Sequence, residues 1–270
     1  MHTCGYDKNK ISLVVADIDG CLTQGKKSSI DIDSLKLLRD YNNGLVKMGL
    51  PPLVFCTGRP QPYVEALSQL LGVKMPCVCE NGAVIYKPDQ DTILIHPTIR
   101  PSFLHEINRM REKFSDGHLS GITFQVEPGK EVCISLNPIS KDGGEEFSLR
   151  EKVVELYNVV KDMVDQSIFS VNHSTTAVDI TPFGIDKGVG VRWLSQLTSI
   201  DEQFMLGIGD SAGDIPFLTR VGYPAAPENA CDAVKSVAKY VSPLPFAEGV
   251  VDIINVLVKQ SGHDTFGVHP

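Results

Sequence analysis

Short apolar runs separated by amphipathic stretches divide the chain into three sections of different rhythm. Residues 11–16, apolar except for Ser12, read as a first strand whose apolar run closes on Val14, Val15 and Ala16, as a buried strand needs. Asp33 or Ser34 is placed to cap a helix running to about residue 47, with Leu35, Leu38, Leu45 and Met48 on its apolar stripe. Gly44 and Gly49 weaken and end it. Pro51 and Pro52 reset the chain, and residues 53–56 make a second short strand. Pro60 suits the first turn of a helix reaching residue 71. Residues 77–79 make a third strand, Glu80-Asn81-Gly82 marks a turn, and residues 83–86 are extended again. Strands and helices in this alternation predict a parallel sheet.

Between residues 87 and 181 the rhythm changes. Residues 93–95 are extended, and residues 102–114 read as an amphipathic helix. Strands at 122–126 and 132–136 flank the turn Glu127-Pro128-Gly129-Lys130, a second helix spans 148–164, and strands at 168–171 and 177–180 surround Asn172-His173-Ser174. Two helix-strand-strand units predict an inserted α+β domain with an antiparallel sheet, its exposed loop at 141–146. After Pro182 the parallel pattern resumes. Helices are expected at 187–197, 215–219, 228–234 and 248–258, and strands at 204–208, 223–226 and 240–241, with the last dozen residues frayed. The expected fold is α/β: a Rossmann-like parallel-sheet core, residues 1–86 plus 182–270, interrupted by the α+β insertion at 87–181.

Composition narrows the partners. With 270 residues, 42% hydrophobic and 21% charged, the chain has ordinary globular proportions and room for two domains. A net charge of −8 argues against a nucleic-acid partner and against an anionic membrane surface. No apolar run approaches a membrane span, and the polar start, residues 1–10, lacks the apolar core of a secretory signal, which points to a cytoplasmic chain. The seven cysteines have no framework spacing, and Cys77-x-Cys79 lacks the second half of a zinc site, so buried reduced thiols are expected.

The candidate chemistry begins where the first strand ends, on Asp17 and Asp19 followed at once by Gly20. Ligands of open α/β sheets bind at the carboxyl ends of strands. Two acids there repel each other unless a cation or a proton offsets them. Alone, the pair reads equally well as a solvated turn. The partners arrive later: Thr57 ends the second strand, Lys187 opens a helix, and Asp210 and Asp214 follow the strand after it. Right-handed crossovers bring these ends to one edge of the sheet. Four carboxylates, an amine and a hydroxyl suit a hard cation that keeps waters and bridges to phosphate, namely Mg²⁺. A carboxylate nucleophile forming an aspartyl phosphate is one route for phosphoryl transfer, with Lys187 and Thr57 to hold the phosphoryl oxygens. Gly207-Ile208-Gly209-Asp210-Ser211-Ala212 formally fits a dinucleotide fingerprint, but an aspartate stands where a pyrophosphate would approach. Asp17-x-Asp19-Gly20 is not a calcium loop either, because its glycine comes at the fourth position rather than the sixth.

Together these stretches resemble the haloacid dehalogenase superfamily. Asp17-Ile18-Asp19-Gly20-Cys21-Leu22-Thr23 resembles its first motif, Thr57-Gly58-Arg59 its second, Lys187 in Gly184-Ile185-Asp186-Lys187-Gly188 its third, and Gly209-Asp210-Ser211-Ala212-Gly213-Asp214 its fourth. The insertion between the second and third motifs, with Glu80-Asn81-Gly82 before it, is similar to the type-two subclass B cap of the sugar-phosphatase-like branch, which includes phosphoglycolate and sucrose-phosphate phosphatases. The resemblance implies a Mg²⁺-dependent phosphatase acting on a small phosphorylated metabolite. Asp17 would be the nucleophile and Asp19 the acid/base. Asp17, the carbonyl of Asp19, and Asp210 would hold the metal, with Asp214 supporting them. Thr57, Gly58, Lys187 and Asn81 would contact phosphate. Gly213 departs from the asparagine many relatives carry there. Dehalogenases of the superfamily lack the second aspartate, so Asp19 points to a phosphatase, with a phosphomutase or a non-catalytic phosphometabolite-binding protein as alternatives. His96, His105, His118, His173, Arg100, Arg109 and Arg111 of the insertion are candidates for leaving-group recognition.

Overall fold

In the computed structural model, which describes residues 10–26, 28–139 and 146–260, the first apolar run becomes β1 (Leu13–Ala16), buried along its whole length. Along the chain follow α1 (Ile32–Met48), β2 (Leu53–Phe55), α2 (Gln61–Leu71), β3 (Cys77–Cys79), β4 (Val84–Lys87) and β5 (Thr92–Ile95). Next come α3 (Pro101–Lys113), β6 (His118–Leu119), β7 (Ile122–Val126), β8 (Ile134–Pro138), α4 (Glu146–Met163), β9 (Phe169–His173) and β10 (Val178–Pro182). The last section holds α5 (Lys187–Thr198), β11 (Met205–Ile208), α6 (Ile215–Leu218), β12 (Tyr223–Ala226), α7 (Asp232–Val237), β13 (Tyr240–Val241) and α8 (Phe246–Gln260). The polar start at 1–9, most of the expected loop at 141–145 and the tail from 261 lie outside the described residues. No helix among the described residues is long and apolar enough to cross a membrane.

The chain divides into two units, at 94/95 and at 185/186. The first carries a parallel five-stranded sheet in the order β13-β12-β11-β1-β2. Every residue of β1 and β11 is buried, so these central strands are covered on both faces and read as unbroken apolar runs. The second unit carries an antiparallel sheet, β6-β7-β8-β10-β9, and the two long helices α3 and α4. Alternation along its strands is clean. Ile134, Leu136, Val178 and Ile180 join the apolar cluster that includes Ile107 of α3 and Leu156 of α4. The intervening Ser135 and Asp179, paired across β8 and β10, hydrogen-bond each other on the opposite face, and Ser135 also accepts from the buried Lys130 ammonium.

The structure revises several expected elements. The cap of α1 is Asp31, not Asp33 or Ser34: its carboxylate accepts from the Asp33 and Ser34 amides at 3.1 and 3.3 Å and from the Ser34 hydroxyl at 2.5 Å. The third expected strand does not extend the parallel sheet. β3 pairs antiparallel with β4 and meets the β2 edge through a single parallel bridge, Cys56 to Val78, with the Phe55 amide donating to Cys77 Sγ and the Thr57 amide to the Val78 carbonyl. The second insert strand lies at Ile134–Pro138, two residues later than expected, because the Cys133 and Lys130 carbonyls are taken by the Arg111 guanidinium. The predicted turn at Asn172-His173-Ser174 is displaced. β9 runs through His173, and Ser174 makes the turn by accepting from the Thr176 and Ala177 amides at 3.2 and 3.1 Å. The helix expected at 228–234 begins only at Asp232, because residues 227–231 form a bonded loop.

Candidate active site

Asp17 leaves β1 with its amide bonded to the Ile208 carbonyl of β11 (2.9 Å), which places its side chain beside the loop that follows β11. That loop turns back through a short 3₁₀ turn, Ala212–Asp214. Asp214 is fully buried and both its carboxylate oxygens are hydrogen-bonded. One oxygen accepts from the Asp210 amide (3.0 Å), the Ser211 amide (2.9 Å) and the Ser211 hydroxyl (3.0 Å), and the other takes the Lys187 ammonium at 2.5 Å. Lys187 reaches Asp17 as well, at 2.9 Å. It is the first residue of α5, whose start is fixed by Asp186 accepting from the Val189 amide.

Glycines let these elements approach. A Cβ on Gly190 would lie 2.6 Å from both the Gly82 Cα and a Val78 methyl, so α5 packs backbone to backbone on the turn after β3. That turn holds three consecutive positive φ angles, Glu80 (48°), Asn81 (55°) and Gly82 (103°). For Glu80 and Asn81 this is strained backbone. It is bonded to the second motif: the Asn81 amide donates to the Thr57 carbonyl and the Glu80 amide to the Arg59 carbonyl, at 3.0 and 3.1 Å. Asn81 thus sits against Gly58, where a Cβ would come within 2.8 Å of its side-chain oxygen. Thr57 is buried and its hydroxyl oxygen accepts from the Arg59 amide, which directs the hydroxyl proton elsewhere.

Asp17, Asp210 and Asp214 each offer an oxygen within 4.8 Å of the others. Burial pushes the Asp17 carboxyl well above the usual range; the Lys187 ammonium counters only part of this, and Asp214 and Asp210 add to it. Asp210 is pushed up to about 7, first by burial and then by Asp214. Burial works against the Lys187 charge, but Asp17 and Asp214 outweigh it and hold the amine protonated. Three carboxylates facing one ammonium leave an excess of negative charge that a hard, oxygen-preferring cation would offset. The donor set therefore fits a divalent metal.

Asp19 is set apart from this trio. Arg59 grips it through two parallel bonds, 2.6 Å from Nε and 2.5 Å from Nη2, while its guanidinium stacks 4.6 Å from the Tyr63 ring centre. Sequence reasoning placed Arg59 inside the second motif without giving it work to do. The only signal available was a cation next to Thr57 and Gly58. Among the described residues Cys21, Cys56, Cys77, Cys79 and Cys133 are buried thiols outside any disulfide, as expected, whereas Cys231 is exposed and departs from that expectation.

Comparison with known proteins agrees with this arrangement. Residues 14–141 and 146–254 match the haloacid dehalogenase-like hydrolase family. The chain is 28% identical over 246 residues to a phosphoglycolate phosphatase of Methanothrix thermoacetophila, covering 91% of this chain and 96% of that one. It is 28% identical over 250 residues to a phosphoglycolate phosphatase of Sulfolobus acidocaldarius, covering 92% and 97%. Among solved structures, a Thermoplasma acidophilum protein superposes with a TM-score of 0.67 at 23% identity, over 90% of this chain and 96% of that one. A haloacid dehalogenase-like hydrolase of Bacteroides thetaiotaomicron gives 0.66 at 18%, over 91% and 98%. With the family match spanning nearly the whole chain and its motifs gathered at one edge of the parallel sheet, the chain belongs to the haloacid dehalogenase-like hydrolases, and within them to the phosphatases.

Proposed function

We propose that the chain is a Mg²⁺-dependent phosphatase that releases phosphate from a small phosphorylated metabolite of the phosphoglycolate type through an aspartyl phosphate on Asp17. The observation that carries this reading is the buried Asp17–Lys187–Asp214 chain, with Asp210 beside it, at the carboxyl end of β1. Asp17, Asp210 and the carbonyl of Asp19 would hold the metal, whose contribution is to neutralise charge between carboxylate and phosphate. Asp214, its oxygens already occupied, would act by holding Lys187 and the Asp210 loop in place.

An oxygen of Asp17 attacks phosphorus and the ester oxygen leaves, taking its proton from Asp19. Asp19 then accepts a proton from the water that attacks the phosphorus of the acyl phosphate, and phosphate departs with Asp17 restored. Lys187 and the Thr57 hydroxyl would hold phosphoryl oxygens as charge shifts onto them. The phosphoglycolate class rests on the curated relatives, matched along more than nine-tenths of this chain. Recognition of the leaving group is assigned to the inserted unit, where Arg100 and His173 are exposed and Arg109 shares an exposed pair with Glu106. Arg111 is excluded, because its guanidinium is committed to the Lys130 and Cys133 carbonyls.

The test is phosphate release from a panel containing phosphoglycolate and sugar phosphates, with Mg²⁺ and with chelator. Release from phosphoglycolate that stops in chelator and returns with Mg²⁺ supports the reading. Full activity in excess chelator refutes the metal, and production of an isomeric phosphate instead of free phosphate would make the protein a mutase.

A further inference from the structure

The loop of residues 227–231 is remote in sequence from the first motif yet bonded to it. Asn229 donates its amide to the Gly20 carbonyl at 2.9 Å and accepts from the Phe246 amide at 2.7 Å. Two residues on, the Cys231 amide donates to the Asp210 carbonyl at 2.9 Å. One loop therefore ties the turn after Asp19 to the loop that bears Asp210.

Gly20 is where those two loops meet. Its φ is +89°, and a Cβ there would collide with the Asp210 carboxylate, so only glycine fits. The peptide unit before it, which carries the Asp19 carbonyl, is pinned by the Gly20 amide donating to Thr23 at 2.6 Å. The peptide unit after it is pinned by Asn229. With both neighbouring peptides held, the direction of the Asp19 carbonyl is set. The other end of Asn229 holds the amide of Phe246, a non-glycine residue at φ +47° at the start of α8. Only a side chain that donates and accepts at once can make both bonds.

We propose that Asn229 is a positioning residue for the metal site, acting through Gly20 on the Asp19 carbonyl and on the seat of Asp210. The proposal rests on the reading of Asp17, Asp210 and the Asp19 carbonyl as the Mg²⁺ donors. Asn229 touches neither metal nor substrate in this account. Groups that orient metal donors from behind commonly contribute 10–100-fold to affinity.

The experiment is calorimetric titration of Mg²⁺ into wild type, Asn229→Ala and Asn229→Asp without substrate, with melting in chelator to report folding and with kcat and KM for p-nitrophenyl phosphate. Asn229→Ala is expected to weaken Mg²⁺ binding roughly 10–100-fold, with KM nearly unchanged and kcat largely recovered at saturating Mg²⁺. Asn229→Asp keeps the acceptor for Phe246 but faces the Gly20 carbonyl with an oxygen. Its added negative charge favours the cation, so weaker binding there has positioning as its cause. Mg²⁺ affinity within twofold of wild type in Asn229→Ala, whether or not melting drops, overturns the proposal. If Asn229→Ala does not fold, Asn229→Asp decides, and equal or tighter binding overturns it. A wild-type protein that binds no Mg²⁺ removes both the proposal and the metal reading, whereas wild-type binding with unaffected variants removes the proposal alone.

Discussion

Replacing Gly190 by alanine tests whether the packing of α5 sets the position of Lys187. The new methyl would stand 2.6 Å from the Gly82 Cα and from a Val78 methyl, against 3.4 Å for the near limit of ordinary contact, a shortfall of 3.4 − 2.6 = 0.8 Å. Neither neighbour can swing aside. Gly82 is backbone held at φ +103°, and Val78 is a fully buried β-branched residue in β3. The helix must therefore retreat by most of that distance. Alanine gains roughly 0.5–1 kcal/mol over glycine within a helix. Overpacking costs about 1–3 kcal/mol, so the balance is a loss of roughly 0–2.5 kcal/mol. The catalytic loss should be larger. Lys187 lies one turn earlier on the same helix face, and its bonds of 2.5 and 2.9 Å to Asp214 and Asp17 do not survive such a retreat unchanged. Misplacement on the order of 1 Å can cost about 10²-fold in rate. Thermal melting and kcat/KM on p-nitrophenyl phosphate, measured on the same preparation, are expected to show a small drop in Tm beside a drop of about a hundredfold in kcat/KM. A variant with kcat/KM within twofold of wild type would refute the argument that this contact places Lys187.

Two further outcomes follow from the geometry. Arg59→Met removes the two-bond fork on Asp19 from a side chain only 11% exposed, so Tm should fall somewhat while kcat falls about ten- to hundredfold with KM little altered; an unchanged kcat would sink that role for Arg59. Asp210 is raised from 3.8 to about 7 in the fold by burial and then by Asp214, so between those values the folded state holds the extra proton. Its stabilisation is complete below about pH 4 and lost as pH rises through about 7. In chelator Tm should therefore decline from about pH 5 to pH 8 and Mg²⁺ should reverse the decline, whereas a flat or rising Tm over that range would contradict the crowding inferred for the acid cluster.

The gathering of the candidate site residues was legible where it coincided with the ends of apolar runs. β1 and β11 are unbroken buried runs, so the acids that follow them, Asp17 and Asp210, announced a strand edge. The order of Thr57, Lys187 and Asp214 supplied the rest. What escaped is what the pattern of apolar positions does not encode. The Arg59 fork on Asp19 is a contact between loops 40 residues apart, and that of Asn229 on Gly20 spans 209 residues. Asp31 was missed as a cap because Asp33 and Ser34 are equally good capping types, and only the backbone decides between them. The short β3 read as one more parallel strand because three apolar residues carry no sign of pairing direction. Within the insertion, strand ends moved by two residues wherever a side chain claimed backbone groups, as Arg111 does before β8 and Ser174 does after β9.

The central claim is that phosphate passes through Asp17. Acid quenching of the enzyme during turnover of its phosphoester, followed by borohydride reduction and peptide mass spectrometry, reads that step directly, because an acyl phosphate is reduced to an alcohol and a free carboxylate is not. The account predicts homoserine in place of Asp17 in wild-type protein quenched with substrate, none without substrate, and none in Asp17→Asn, which should remain folded and inactive. Homoserine at Asp19 or Asp210, or steady turnover by Asp17→Asn, would contradict it.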